Sequence, residues 1–110
     1  MNKNLDSLIK YIALHFQFNE KKYPELKGAT EEEILRFAIR HSALHFSKTA
    51  GKIATSSEGI DHGGRLDAEE LKSNTAKSLI NTLRLAELLG MSGSELVKLV
   101  RENIEKPINH

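Results

Sequence analysis

The chain has 110 residues, 39% hydrophobic and 28% charged, with 16 Lys+Arg against 15 Asp+Glu and a formal net charge of +1. That is the arithmetic of one ordinary domain, long enough to close its own core and without the overall positive charge that draws a protein to nucleic acid or anionic lipid. No cysteine is present, which excludes disulfides, thiolate zinc sites and a Cys nucleophile, and no apolar run approaches the ~20 residues that span a bilayer.

Few aromatics, two prolines and few β-branched runs favour helix over strand throughout. The first predicted helix runs from about Leu5 to Glu20, with Leu5, Leu8, Ile9, Ile12 and Phe16 on one face and Tyr23-Pro24 ending it. An aspartate and a lysine interrupt its apolar positions, so it reads as an amphipathic helix rather than a signal peptide, and a cytoplasmic location is expected. Three further starts are marked by a capping side chain three residues before a glutamate: Thr30 with Glu33, Asp67 with Glu70, and Ser92 with Glu95. Between them lie the linkers Lys21 to Ala29 and Glu58 to Leu66, and the short turn Gly90-Met91, where Gly90 suits a helix C-terminus.

The second helix, about Glu31 to Ser57, would be roughly 40 Å long at 1.5 Å per residue, against a radius of gyration of ~13 Å for a compact chain of this size. Either Gly51 breaks it or the domain is elongated and completes its core by pairing with another subunit, the reading preferred here. Its apolar row, Leu35, Ile39, Ala43, Phe46, Ala50, Ile53 and Ala54, is expected to face the core. On the third helix Leu71, Thr75, Leu79, Leu83 and Ala86 supply one apolar face, which Leu85, Leu88 and Leu89 widen beyond what one neighbour usually covers.

Two polar rows run beside these faces. His41, His45, Lys48 and Lys52 fall within about 60° of one another on the second helix, and Asn74, Lys77, Asn81 and Arg84 form a similar row on the third. Either row alone is what a solvated helix surface carries. Against that stands the i,i+4 pair Lys48 and Lys52, whose like charges cost a helix ~0.2–0.5 kcal/mol. Facing one another, the two rows would make a cationic groove. His41 and His45 have the i,i+4 spacing of metal ligands, but Ser42 stands where an HExxH motif has glutamate and lysines are the next neighbours, so no metal is expected there. No phosphate-binding glycine loop and no nucleophile elbow is present.

The segment HSALHFSKTAGKIATSSEGIDHGG, followed by LDAEELKSNTAKSLINTLRLAELLGMSGSELV, resembles the MazG-like, all-α nucleoside triphosphate pyrophosphohydrolase superfamily over about residues 35 to 100. The resemblance is strongest in LINTLRLAELLGMSGSELV, a helix, a short glycine turn and the opening of the next helix. It implies an antiparallel four-helix domain that forms dimers or tetramers, holds magnesium through clustered carboxylates and cleaves nucleoside triphosphates to monophosphate and pyrophosphate. Magnesium wants hard oxygen ligands, which is why such a site needs acids. With Gly51 as anchor, the family's EExxE falls on Lys48, Thr49 and Lys52, and its ExxD on Asn74 and Lys77, none of them acidic.

The expectation is therefore an all-α antiparallel bundle completed by oligomerisation, a homodimer or higher, whose degenerate site binds a nucleotide, another phosphorylated ligand or an acidic partner without cofactor and without catalysis. The residues expected to carry it are His41, His45, Lys48, Lys52, Asn74, Lys77, Asn81 and Arg84. Two other readings remain at this level. One is an active hydrolase using Glu58, Asp61, Glu69 or Glu70, although the last two suit a helix N-terminus; the other is a structural interaction module. Nucleic acid is not an expected partner, since no aromatic interleaving offers a stacking platform.

Overall fold

The computed structural model describes residues 3–106, in four α-helices and one short 3-10 turn: α1 (Lys3–His15), η1 (Pro24–Leu26), α2 (Glu31–Asp61), α3 (Ala68–Leu88) and α4 (Gly93–Glu105). There is no strand among the described residues, so the chain is all-α. No helix among them is long and apolar enough to cross a membrane.

The helix starts are set by their side-chain caps. Thr30 Oγ1 accepts from the Glu33 amide at 3.1 Å while Glu33 Oε1 accepts from the Thr30 amide at 2.8 Å, satisfying two donors reciprocally. Asp67 accepts from the Glu70 amide and Ser92 from the Glu95 amide, each at 3.1 Å. At the end of α3 the chain turns through Gly90, φ +72°, with Met91 N donating to Ala86 O and Gly90 N to Glu87 O. This pair of bonds closes a Schellman turn, for which glycine's lack of a Cβ is required.

α1 ends earlier than its periodicity suggests. His15 is its last residue; the Lys22 ammonium donates to His15 O at 3.1 Å and the Gln17 amide to Leu14 O at 3.3 Å, occupying carbonyls that a continuing helix would have used. The segment that follows, carrying Phe16, Phe18 and Tyr23, is released from helical geometry and folds back over α3 and α2.

α2 runs unbroken through Gly51 to Asp61, about 46 Å at 1.5 Å per residue, and the described part of the chain is elongated, 51 × 35 × 27 Å with a radius of gyration of 16.8 Å. A Cβ built on Gly51 meets nothing within 4 Å. Gly51→Ala should accordingly raise stability by about 0.5–1 kcal/mol, read as a higher chemical-denaturation midpoint at unchanged slope.

α3 is the central element, with α2 packed antiparallel on one side and α1 on another; α4 packs on α1. The apolar core lies between α1 and α3: Ile9, Ile12 and Leu83 are buried, with Leu5, Ile80 and Leu96 against them. Asp6 ties α4 to this core by accepting from the Gly93 amide at 2.6 Å, at the N-terminus of that helix.

The α2–α3 contact differs from its expected form. Ala38, Ser42 and Thr49 are the buried positions of α2, whereas in the apolar row Leu35, Ala43, Ala50 and Ala54 are exposed and Ile39, Phe46 and Ile53 half-buried. On α3 the inward residues are Asn74, Asn81 and Arg84, while Leu71, Thr75, Ala76 and Leu79 border an open apolar groove of about 550 Å³ with Leu66 and Ala68. Two long helices thus meet through a polar seam and leave apolar rows on their flanks.

Candidate functional site: a cationic cleft between α2 and α3

The polar seam opens at one end into a cleft of about 390 Å³. His41, His45 and Thr49 line it from α2, Lys77, Ile80, Asn81 and Arg84 from α3, and Phe16 and Tyr23 from the segment between α1 and α2. No carboxylate is among these residues. Antiparallel packing produces the juxtaposition, because the rows at i,i+4 on α2 and at i,i+4 and i,i+7 on α3 run past each other and bring His41 opposite Arg84 and Thr49 opposite Asn81.

Arg84 dominates the electrostatics. Its residue is only 7% exposed, and its guanidinium carbon lies 4.7 Å from the Phe16 ring centroid and 4.9 Å from that of Phe18. Cation–π attraction to two rings offsets part of the desolvation, but its Nε has no hydrogen-bond partner, and among the described residues it forms no ion pair. Burial pushes the guanidinium below its usual range, with Tyr23 acting in the opposite sense; it stays charged at any physiological pH. A buried cation with an unpartnered donor carries a desolvation cost that its aromatic neighbours and Tyr23 meet only in part.

The imidazoles are held by aromatic contacts. His41 stacks on Phe37, with centroids 5.6 Å apart, and meets the edges of Tyr23 and Phe18. Its Nε2 is 3.3 Å from the Tyr23 hydroxyl and 3.1 Å from His45 Nε2. Burial, the neighbouring His45 and Arg84 hold His41 below the ordinary histidine range, opposed by Glu25. Behind the rings, the Asn81 amide donates to Thr49 Oγ1 at 3.2 Å and fixes the register of the two helices.

Of the eight residues expected from sequence, His41, His45, Lys77, Asn81 and Arg84 come together in this cleft. Lys48 and Lys52 do not join them: they border a separate depression with Gly51, Thr55, Ser56 and Glu70, where a carboxylate shares the space. Asn74 is buried in the seam between the two. Sequence reasoning missed Phe16, Phe18, Tyr23 and Ile80, and placed Thr49 only at an aligned EExxE position. The signal available was the gathering of Phe16, Phe18 and Tyr23 within eight positions, three of the six aromatic residues of the chain. Among the described residues, no group of three or more His, Asp or Glu is placed to hold a metal ion.

Comparison with known protein families, with curated proteins and with solved structures returns no match. What the cleft does must therefore be argued from its own chemistry. A compact pocket with one buried guanidinium, one exposed ammonium, two imidazoles and an amide, and no acid, presents donors and positive potential to an oxyanion. Thr49 Oγ1 accepts from Asn81 rather than meeting a histidine, and the hydroxyl that does meet an imidazole is that of Tyr23, beside His41 Nε2.

Proposed function

We propose that the α2–α3 cleft binds a phosphorylated small molecule, a nucleotide first among them, without a metal and without turning it over. The observation that carries this reading is Arg84: a residue only 7% exposed, its guanidinium against two aromatic rings, with Nε unpartnered and no carboxylate among the residues lining the cleft. Phosphate oxygens in the cleft would pair with the guanidinium where Arg84 lines it, and bidentate pairing with arginine is the strongest such contact available.

The same reading takes the chain as a degenerate relative of the MazG-like proteins. Asn74 and Lys77 stand where that pattern has the acids of its second helix, and Lys77 lines the cleft. In such a site protein cations take the place of the ion's charge. The exposed apolar flanks of α2 and the groove along α3 support a homodimer or higher oligomer, which would cover them and turn the open helix array into a closed bundle.

The test is binding in the presence of a chelator. Inorganic phosphate and nucleoside mono- and triphosphates, with EDTA present, are expected to raise the melting temperature, and Lys77→Glu, which puts an acid into the cleft while leaving the exposed side of α3 otherwise unchanged, should cancel that rise. Release of pyrophosphate from any nucleoside triphosphate in magnesium would overturn the non-catalytic reading.

A further inference from the structure

The spacing of His41 and His45 limits the number of protons they hold. Their Nε2 atoms are 3.1 Å apart. A hydrogen bond between two such nitrogens needs one hydrogen between them, with one ring donating and the other accepting through its lone pair. Two neutral rings in opposite tautomers meet that condition. One added proton still meets it and makes the bond charge-assisted. A second added proton places hydrogens on both facing nitrogens and breaks the bond, so the pair holds either no net charge or one.

Its surroundings decide which. Facing the pair are Tyr23, whose hydroxyl is 3.3 Å from His41 Nε2, and Glu25 from η1; Arg84 and Lys77 from α3; and the neutral Asn81. On α2 itself Phe37 stacks on His41, and Phe18 meets its edge from the preceding segment. Among the protein's own groups two fixed cations outweigh one acid, and burial adds to the effect, so His41 protonates less readily than an ordinary histidine. An oxyanion held by Arg84 and Lys77 reverses the sign of the nearest charge.

We propose that the His41–His45 pair takes up one proton when a doubly charged oxyanion enters the cleft, so that the site binds dianions more tightly as pH falls through neutrality. The inference rests on the anion-binding reading above and specifies its ligand class: a fully ionised phosphomonoester or similar dianion, whose second charge the added proton neutralises. A monoanion is satisfied by Arg84 alone and gains little from the imidazoles.

Sulfate is the right probe, because it keeps both charges from about pH 5.5 to 8.5 and any pH dependence then belongs to the protein. Calorimetric titration at about pH 7.5 in two buffers of different ionisation enthalpy is expected to give an uptake approaching one proton per sulfate bound. Affinity should fall about tenfold per pH unit where the free pair is neutral. The double variant His41→Gln/His45→Gln should bind sulfate through Arg84 and Lys77 with no uptake and a flat pH profile. Sulfate binding without proton uptake in the wild-type protein, or uptake that persists in the double variant, overturns the inference and leaves anion binding standing. No sulfate binding anywhere in the range overturns both.

Discussion

Arg84→Met should reduce affinity for inorganic phosphate and for nucleotides by about 30-fold or more, while leaving the folded protein within about 1 kcal/mol of wild type or slightly more stable. The binding loss follows from removing the buried partner of a charged hydrogen-bonded pair, which costs about 2–5 kcal/mol. The stability side follows from what the free protein holds at that position: a desolvated cation without an ion pair, its Nε unpartnered. Replacing such a group by an apolar side chain of similar reach is often neutral or favourable. Methionine keeps the stem between Phe16 and Phe18 and brings a sulfur to the rings. Calorimetric titration with phosphate and urea unfolding of the same samples check the two halves.

The neighbouring position should behave in the opposite way. Leu83 is fully buried against Ile9 and Ile12, about 100° around α3 from Arg84. Leu83→Ala removes a fully buried side chain from the only apolar core cluster among the described residues and leaves a cavity in its place. The expected loss is about 2–5 kcal/mol, a large share of the 5–15 kcal/mol typical of a domain, with a melting midpoint lower by roughly 10–20 °C. Below that midpoint phosphate affinity should stay within a few-fold of wild type, because Arg84 and Lys77 lie about 100° or more around α3 from Leu83 and His41 and His45 stand on α2. Two adjacent residues, one removing binding and the other stability, would establish that the two faces of this helix do separate jobs. Equal losses of both properties in both variants would contradict that division.

The helix starts were legible because they are local: a Thr, Asp or Ser three residues before a glutamate specifies its own hydrogen bonds whatever the rest of the chain does. The Gly90 turn was legible for the same reason. The end of α1 was not, since it depends on Lys22 and Gln17 reaching back to carbonyls and on two phenylalanines finding Arg84 far along the chain.

Periodicity also misjudged which face of α2 turns inward. Leu35, Ala43, Ala50 and Ala54 make the apolar row, yet the side facing α3 carries Ala38, Ser42 and Thr49, midway between the apolar and the histidine rows. A hydrophobic stripe indicates that some surface will be covered, but not by which partner, and in one chain the flank stays open. The polar rows were found correctly as rows. That His41, His45, Lys77, Asn81 and Arg84 share one cleft while Lys48 and Lys52 turn into another depression beside Glu70 depends on where along α2 the helix α3 crosses, which spacing on a single helix does not contain. Low aromatic content likewise hid a cluster, because Phe18, Tyr23, Phe37 and His41 meet only after folding.

On the proposed reading, Arg84 in the α2–α3 cleft pairs with an oxyanion. The most direct test of this is a phosphate titration followed by nuclear magnetic resonance, in EDTA and low salt, observing the side-chain Nε–Hε of Arg84 together with the backbone amides. A saturable shift of the Arg84 Nε–Hε resonance is expected, accompanied by shifts at His41, His45, Lys77 and Asn81. An unmoved Arg84 resonance, with changes absent or confined to Lys48 and Lys52, would contradict it.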